Sequence, residues 1–288
     1  ATDAVMSVVA DDLLIICATR LANAIQHTLD GEMKVVWGQT LEEGAGWIRY
    51  LGKEWIVRDG VYAVRVPPSY WLELLEEVGL ADCRAVTTPA ETTSTNEDDD
   101  VPLTSVDLKL FRHIIGKIMY GAIVRPDLAY VVKELARRLA TPTIGDMKRA
   151  KRLLRYVKGT VDFELRLNGH DSTDPELRRD GIDAYADANW GSGASRKSTS
   201  GGCLFWRRTP VATWSRTQPT ITLSTADAEL PALGVAAEAG EFLQHPLAQI
   251  DAREPAPPPR HRRLSGGGVA GNAGRRHHRV GGRAARLD

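Results

Sequence analysis

The sequence predicts an α/β protein in which strand-rich segments flank a helical middle. Short β-branched apolar runs occur over 5–18 and again after residue 181, whereas apolar residues recur at helical spacing over 105–158. Polar and proline-rich stretches separate these segments. The length of 288 residues suggests about two domains, and a hydrophobic fraction of 43% is sufficient for a packed core.

The first element is a strand, a tight turn and a second strand over 5–18, which read VMSVVADDLLIICA. The turn contains Asp11 and Asp12. Adjacent carboxylates in a turn can present charge to a divalent cation, which prefers oxygen ligands. Ordinary acidity of a surface turn is the alternative interpretation of this pair.

Asp59 and Gly60 then predict a hairpin turn between two short strands. Residues 67–78 predict a helix, because prolines lie at its start and Gly79 follows as a C-terminal cap. We expect three apolar residues to share the buried face of this helix: Leu72, Leu75 and Val78.

Residues 105–158 predict three helices, divided at Arg125-Pro126 and at Thr141-Pro142-Thr143. The third carries a basic stripe at i, i+3/i+4 spacing, formed by Lys148, Lys151, Arg152, Arg155 and Lys158. Residues 105–180 hold 16 basic and 10 acidic side chains, so a polyanionic partner is expected here. The stripe is interpreted as a track for phosphates, with a solvated helix face as the alternative.

The whole chain has 37 basic and 37 acidic residues, which excludes a uniformly basic nucleic-acid coat. Three cysteines are too few for a disulfide framework. No apolar run approaches the roughly 18 residues of a membrane span, and no signal peptide is recognisable. We therefore expect an intracellular protein, neither secreted nor membrane-bound. The chain opens directly into an apolar run, which is typical of a fragment.

After residue 181 the pattern predicts strands and then a helix at roughly 225–243. Asp187 lies in the first strand, and Glu229 lies on the helix among small residues. Two carboxylates from separate elements suit a Mg²⁺ site, with ordinary polar surface as the alternative. Two tryptophans, Trp190 and Trp214, could stack on a base or pack in the core. Three basic residues could contact phosphates: Arg196, Lys197 and Arg216.

These segments together resemble the C-terminal part of a copia-type retrotransposon Pol polyprotein. VADDLLII resembles the reverse transcriptase hairpin, with Val9 in place of the usual tyrosine, and RYLGKEW resembles the strand that follows. FRHIIGKIMYGAIVRPDLAYVVKELAR and KRAKRLLRYVKGT are similar to the connection helices. YADANWGSGASRKSTSGGCLFW and VATWSRTQPTITLSTADAELPAL are similar to the ribonuclease H domain. The resemblance covers about residues 5–244.

The resemblance implies a nuclease that hydrolyses the RNA strand of an RNA–DNA hybrid with Mg²⁺ or Mn²⁺. Asp187 and Glu229 match two of its catalytic, metal-binding carboxylates, and Asp11 and Asp12 match two metal-binding aspartates of the polymerase. The implied partners are the hybrid and the remainder of the Pol polyprotein. The implied fold is a partial reverse transcriptase palm, a helical connection and an incomplete ribonuclease H-like mixed sheet with a helix.

The corresponding domain boundaries follow the composition of the chain. We expect the end of the palm and thumb at 1–85, an acidic linker at 86–104, the connection at 105–168, a second linker at 169–180, a truncated ribonuclease H-like domain at 181–250 and a disordered Arg/Gly-rich tail at 251–288.

Several departures from the family predict impaired chemistry. A third polymerase aspartate and the fingers would precede residue 1, so polymerase activity is not expected. Asn189 replaces a usual aspartate. Leu230 and Pro231 follow Glu229, and the proline would remove a helix hydrogen bond. The third nuclease carboxylate has no counterpart in the tail. We therefore expect weak or absent hybrid cleavage, with a non-catalytic nucleic-acid-binding protein or an inert remnant as the alternatives.

Overall fold

A computed structural model describes residues 4–42, 44, 46–91, 100–167, 181–191, 196–206, 209–251 and 283–287. The helices are α1 Thr19–Glu32, α2 Pro68–Glu77, α3 Ser105–Ala122, α4 Ala129–Ala136, α5 Ile144–Lys158 and α6 Thr225–Asp251. The strands are β1 Ala4–Val9, β2 Asp12–Cys17, β3 Trp47–Tyr50, β4 Lys53–Arg58, β5 Val61–Arg65, β6 Leu165–Leu167, β7 Ile182–Asn189, β8 Thr199–Trp206, β9 Thr209–Thr217 and β10 Arg283–Leu287. None of these helices is long and apolar enough to cross a membrane.

The strands form three sheets, with the orders β1-β2, β3-β4-β5-β6 and β10-β7-β8-β9. Every described pairing is antiparallel. The expectation of a mixed ribonuclease H-like sheet is therefore wrong for the described strands. The short connections between β7, β8 and β9 favour antiparallel neighbours, because a parallel pair requires a long crossover.

The β1–β2 hairpin and α1 contribute little to the packed interior. None of the α1 side chains is buried. In the hairpin, Met6, Val8 and Ile16 are exposed by half or more, at 50%, 57% and 65%. A hydrogen bond of 3.0 Å joins the Ser7 and Tyr50 hydroxyls and links the hairpin to β3. The hairpin thus lies beside the main core without entering it.

The main core joins β3–β6 to helices α2–α5. Its fully buried members include Trp71, Leu74, Phe111, Ile114 and Leu154. Residues of the expected palm end and of the expected connection share this one cluster. The expected inward face of α2 is corrected at one position: Leu72 is 47% exposed, because Trp71, Leu74 and Leu75 form the buried face at i, i+3, i+4 spacing.

A second core lies between β7–β9 and α6. Four alanines of β7 and α6 (Ala184, Ala186, Ala228 and Ala232) are among its buried members. The Ser224 hydroxyl accepts a 3.1 Å hydrogen bond from the Asp227 N–H at the start of α6, and the helix includes Pro231. Small side chains on both surfaces allow the helix and the sheet to approach closely.

The predicted disordered tail is corrected in part. Residues 283–287 form β10, which pairs antiparallel with β7 through Leu287 and Ile182 at one end and Arg283 and Ala186 at the other. Backbone hydrogen bonds along an open strand edge do not require an apolar side-chain pattern, which is why composition did not predict β10. The rest of the tail and the linker at 169–180 lie outside the described residues.

Candidate functional site

Asp187 lies near the end of β7, on the sheet face that points away from α6. The β7 side chains alternate strictly, with Ala186 and Ala188 buried and Asp187 exposed. Its cross-strand neighbour on β8 is Gly201, which adds no side chain to this face. β10 pairs with β7 only as far as Ala186. The carboxylate of Asp187 is therefore open to solvent.

Glu229 lies at the same end of the sheet but on α6. The link runs through Gln218, whose Nε2 donates to the Ala228 carbonyl (2.6 Å) and to the Ser200 hydroxyl (2.9 Å). Ser200 in turn pairs with Ala188, one residue after Asp187. Glu229 follows Ala228 and is half-buried. The structure thus brings the two predicted carboxylates to one end of the sheet, with no hydrogen bond between them in the described part.

The described residues do not fit a site for two divalent cations. No cluster of three or more metal-ligating side chains occurs among them, and Asp187 projects from the face opposite the one that carries α6. One exposed carboxylate suits a single Mg²⁺ that keeps most of its water and binds phosphate oxygens. Asp187 alone would therefore hold a single ion only weakly.

Asp11 and Asp12 lie on the β1–β2 hairpin as the sequence predicts. Asp11 is in the turn, after Ala10 with a φ of 53°, and Asp12 begins β2 opposite Val9. Both carboxylates are exposed. The described residues supply no third carboxylate to them, so the hairpin retains the aspartate pair without an assembled metal site.

The basic stripe of α5 is largely occupied by another part of the chain, the segment at 81–91. Arg155 Nε donates to the Arg84 carbonyl at 2.8 Å, and Lys158 Nζ donates to the Cys83 carbonyl at 2.7 Å. Arg152 donates to the Thr88 hydroxyl at 3.0 Å and pairs with Glu91 at 3.0 Å. These three side chains hold the 81–91 segment against α5. This structural role differs from both interpretations made from the sequence, a track for phosphates and a solvated helix face. Lys148 and Lys151 are exposed.

The two tryptophans have different roles. Trp214 packs over Gly202, where an added Cβ would lie 2.2 Å from Cζ2 of the indole, so Trp214 belongs to the second core. Trp190 donates from its indole N–H to the Thr222 carbonyl at 3.0 Å, and the residue is 44% exposed. Of the two tryptophans, Trp190 is the one whose ring is exposed to solvent. The nearby cations Arg196 and Arg216 are exposed, and Lys197 is half-buried.

A buried polar network surrounds Arg125, and it was not predicted from the sequence. Its guanidinium pairs with Asp127 through Nε and Nη2, at 2.9 and 2.7 Å, and donates to the Thr160 carbonyl at 2.9 Å. The Tyr156 hydroxyl donates to Asp127 at 2.9 Å. The available signal was an Arg-Pro-Asp turn between helices, where an arginine and an aspartate two residues apart flank a proline.

Asp146 was also missed as a structural residue. It is fully buried at the start of α5, where it forms a reciprocal capping box with Thr143 and pairs with Arg138 and Arg149. Burial alone would raise the pKa of this carboxyl, but hydrogen bonds from the Thr143 N–H, Arg149 and Arg138 hold the pKa below its usual value. The signal was the Thr-x-x-Asp spacing.

Comparison with known proteins identifies the family. An uncharacterized mitochondrial protein of Arabidopsis thaliana is 30% identical over 172 residues, which cover 59% of this chain and 67% of that protein. Retrovirus-related Pol polyproteins from the transposons RE1 and RE2 of the same plant are 27% and 29% identical over 208 and 181 residues. The chain belongs to the copia-type retrotransposon Pol family.

This Pol segment covers only a small part of the polyproteins. The matches to RE1 and RE2 span 69% and 59% of the chain but 14% and 12% of the respective polyproteins. No family model matches the chain, and no solved structure matches it. The comparisons therefore establish a transposon-derived Pol origin, whereas the α/β architecture with antiparallel sheets rests on the described structure of this chain.

Proposed function

We propose that this Pol segment spans the junction between a reverse transcriptase and a ribonuclease H, and that residues 182–251 bind RNA–DNA hybrids with little hydrolysis. The observation that supports this proposal most strongly is the end of the β7–β9 sheet. Asp187 is exposed there, and Gln218 connects the same end to the first turns of α6, which carry Glu229.

Weak hydrolysis follows from the number and placement of the carboxylates. Asp187 would hold a divalent cation there, which would supply positive charge beside a phosphate group. Glu229 is half-buried on the other side of the sheet end, and the described residues supply no third acid. Two ions carry four positive charges, which two carboxylates cannot balance, so we expect the second ion to bind poorly.

Contacts to the nucleic-acid backbone are proposed for the exposed cations. Arg196, Lys197 and Arg216 lie at or next to the ends of β8 and β9, and the exposed ring of Trp190 lies at the end of β7. On α5 the proposed phosphate contact is the exposed Lys151, because Arg152, Arg155 and Lys158 hold the 81–91 segment. Such contacts give an affinity that falls with salt.

No polymerase activity is proposed. Asp11 and Asp12 lie on a hairpin whose strand residues are exposed or half-buried, and no cluster of three metal-ligating side chains forms around them in the described part of the chain. A polymerase site requires several carboxylates around its cations. We interpret the aspartate pair as a remnant of the polymerase motif.

Hybrid binding by wild type and Asp187→Asn tests the proposal. A fluorescein-labelled RNA–DNA hybrid is titrated with the full chain in Mg²⁺ and again in EDTA, and anisotropy is measured. Asp187→Asn should weaken binding in Mg²⁺. In EDTA it should leave binding unchanged or tighten it, because the asparagine removes a charge that repels phosphate. Absence of binding by the wild type in both buffers would refute the proposal in favour of an inert remnant.

A further inference from the structure

Two consecutive glycines in β8 have opposite surroundings. Gly202 faces α6, and a Cβ added to it would lie 2.2 Å from Cζ2 and 2.5 Å from Cε2 of Trp214. The packing of the indole therefore requires a glycine at 202. Gly201 faces the other side of the sheet, and a Cβ added to it would meet no atom within 4 Å.

Nothing among the described residues accounts for Gly201. It lies in an inner strand of the sheet, and its φ is not in the left-handed region. Glycine within a strand weakens the strand, and it commonly marks a place where a ligand or another backbone approaches closely. No described backbone lies over Gly201, which favours a close approach by a bound molecule.

The sheet surface next to Asp187 carries only small side chains across the neighbouring strands. Gly201 lies directly across from Asp187, and Ser215 of β9 lies across from Gly201. Tyr185 rises on one side of this row, packed edge to face on Phe205 with ring centroids 5.8 Å apart. These residues define a shallow cross-strand groove that starts at the Asp187 carboxylate.

The opposite wall of the groove carries hydrogen-bonding groups. Thr199 pairs with Asn189 across the strands, and its hydroxyl accepts a hydrogen bond from the Lys133 amine at 2.9 Å. Lys133 belongs to α4, and the Thr199 residue that it contacts is buried, at 5% exposure. The exposed side chains that border the groove are therefore Tyr185 on one side and Asn189 on the other. An aromatic ring, an amide and a carboxylate at one end suit a sugar-phosphate backbone.

We infer that Gly201 is a positioning residue, which keeps the groove open so that the sugar-phosphate backbone of a hybrid can reach Asp187. This inference rests on the proposed hybrid binding. It assigns a role to a residue without a functional side chain, because a side chain at 201 would stand between Asp187 and Ser215.

Substitutions at Gly201 test the inference through both binding and stability. Gly201→Ala and Gly201→Val are compared with Gly234→Ala, an exposed α6 glycine whose added Cβ also meets nothing within 4 Å. Hybrid anisotropy in Mg²⁺ should show a roughly tenfold weaker affinity for Gly201→Val, a smaller loss for Gly201→Ala and no loss for Gly234→Ala. Thermal midpoints of all three should equal or exceed that of the wild type, since each change reduces the freedom of the unfolded chain.

The outcomes separate this inference from the proposed function. If the wild type binds hybrid and the Gly201 variants bind equally well, the inference is overturned and the proposed function stands. If both Gly201 variants lose thermal stability, the glycine is structural and the inference is overturned as well. A wild type without hybrid affinity contradicts both. Weaker binding at full stability, confined to position 201, supports the inference.

Discussion

Arg125 and Asp127 form a bidentate ion pair across the Pro126 turn, in which Nε donates to Oδ1 at 2.9 Å and Nη2 donates to Oδ2 at 2.7 Å. The Arg125 side chain is only 3% exposed. Because the same guanidinium also donates to the Thr160 carbonyl, it ties the α3–α4 turn to the chain that follows α5. A buried cation with this many partners organises the main core more than it adds net stability.

Loss of the Asp127 carboxylate should therefore destabilise the protein strongly. Asp127→Ala leaves the buried guanidinium without its counter-charge, and we expect a loss of about 2–4 kcal/mol in the free energy of unfolding. Urea denaturation measures it. The matched control is Arg58→Ala, whose partner Glu164 lies at 3.5 Å and whose side chain is 61% exposed. That change should cost less than about 1 kcal/mol, and equal losses in the two variants would contradict the argument.

The basic residues of α5 should divide into two groups. Arg155→Ala removes the hydrogen bond to the Arg84 carbonyl, so we expect a stability loss of about 1–2 kcal/mol and little change in hybrid affinity. Lys151→Ala should leave stability within about 0.5 kcal/mol and lower the salt slope of hybrid binding by about one. Denaturation and salt-dependent anisotropy measure these quantities. If both variants lost hybrid affinity and neither lost stability, the whole basic stripe of α5 would contact phosphates, which would contradict this division.

Lys53 should make stability depend on pH. Burial lowers its pKa from 10.5 to about 8, and its Nζ lies 3.2 Å from the Tyr120 carbonyl. Between those two values the unfolded chain binds more protons than the folded one, so stability should rise with pH in that window and be lost as pH falls through about 8. Above about pH 10 the trend should reverse, because the pKa of Tyr70 is raised to about 12 by burial and by Tyr120 and Glu77.

Lys53→Met isolates this contribution. Methionine keeps the length of the side chain without the amine, so the variant should be about 1–2 kcal/mol more stable than the wild type at neutral pH. The variant should also lack the rise in stability between pH 8 and 10, as measured by urea midpoints at each pH. A variant that is less stable at neutral pH would show that the Tyr120 carbonyl and ring, with the ring centroid 3.0 Å from Nζ, more than offset burial.

Pro231 should weaken α6 near Glu229. Proline inside a helix removes one backbone hydrogen bond and crowds the preceding turn. Pro231→Ala should therefore raise the free energy of unfolding by about 1–3 kcal/mol. Pro68→Ala serves as the comparison, since Pro68 is the first residue of α2, where proline is well accommodated. A stability loss in Pro231→Ala would mean that packing of the proline ring outweighs the missing hydrogen bond.

Local patterns predicted most elements but few long-range contacts. The helices of residues 105–158, the Asp59-Gly60 hairpin and the strands from Ile182 to Thr217 follow from spacing and turn chemistry, and the structure confirms them. The hydrogen bond from Arg155 to the Arg84 carbonyl joins residues 71 positions apart, so no local sequence pattern predicts it. A stripe of cations looks the same in sequence whether it meets phosphates or the chain itself.

The candidate site shows the same division. The alternation around Asp187 and the start of α6 at Thr225 follow from the sequence, since a strand period and a capping residue are local features. Which sheet face each carboxylate uses depends on where α6 packs, and that choice is made by Ala228, Ala232 and their partners. Gly201 carries no chemistry of its own, so only the surroundings of its missing side chain distinguish it from Gly202.

The rate of hybrid cleavage tests the account most directly. A single-turnover assay with excess full chain, in Mg²⁺ and in Mn²⁺, compares the wild type with Asp187→Asn. We expect hybrid to be bound while the RNA strand stays almost intact over the assay in both variants, because the described residues do not assemble a two-cation site. Rapid cleavage by the wild type that Asp187→Asn abolishes would contradict the account.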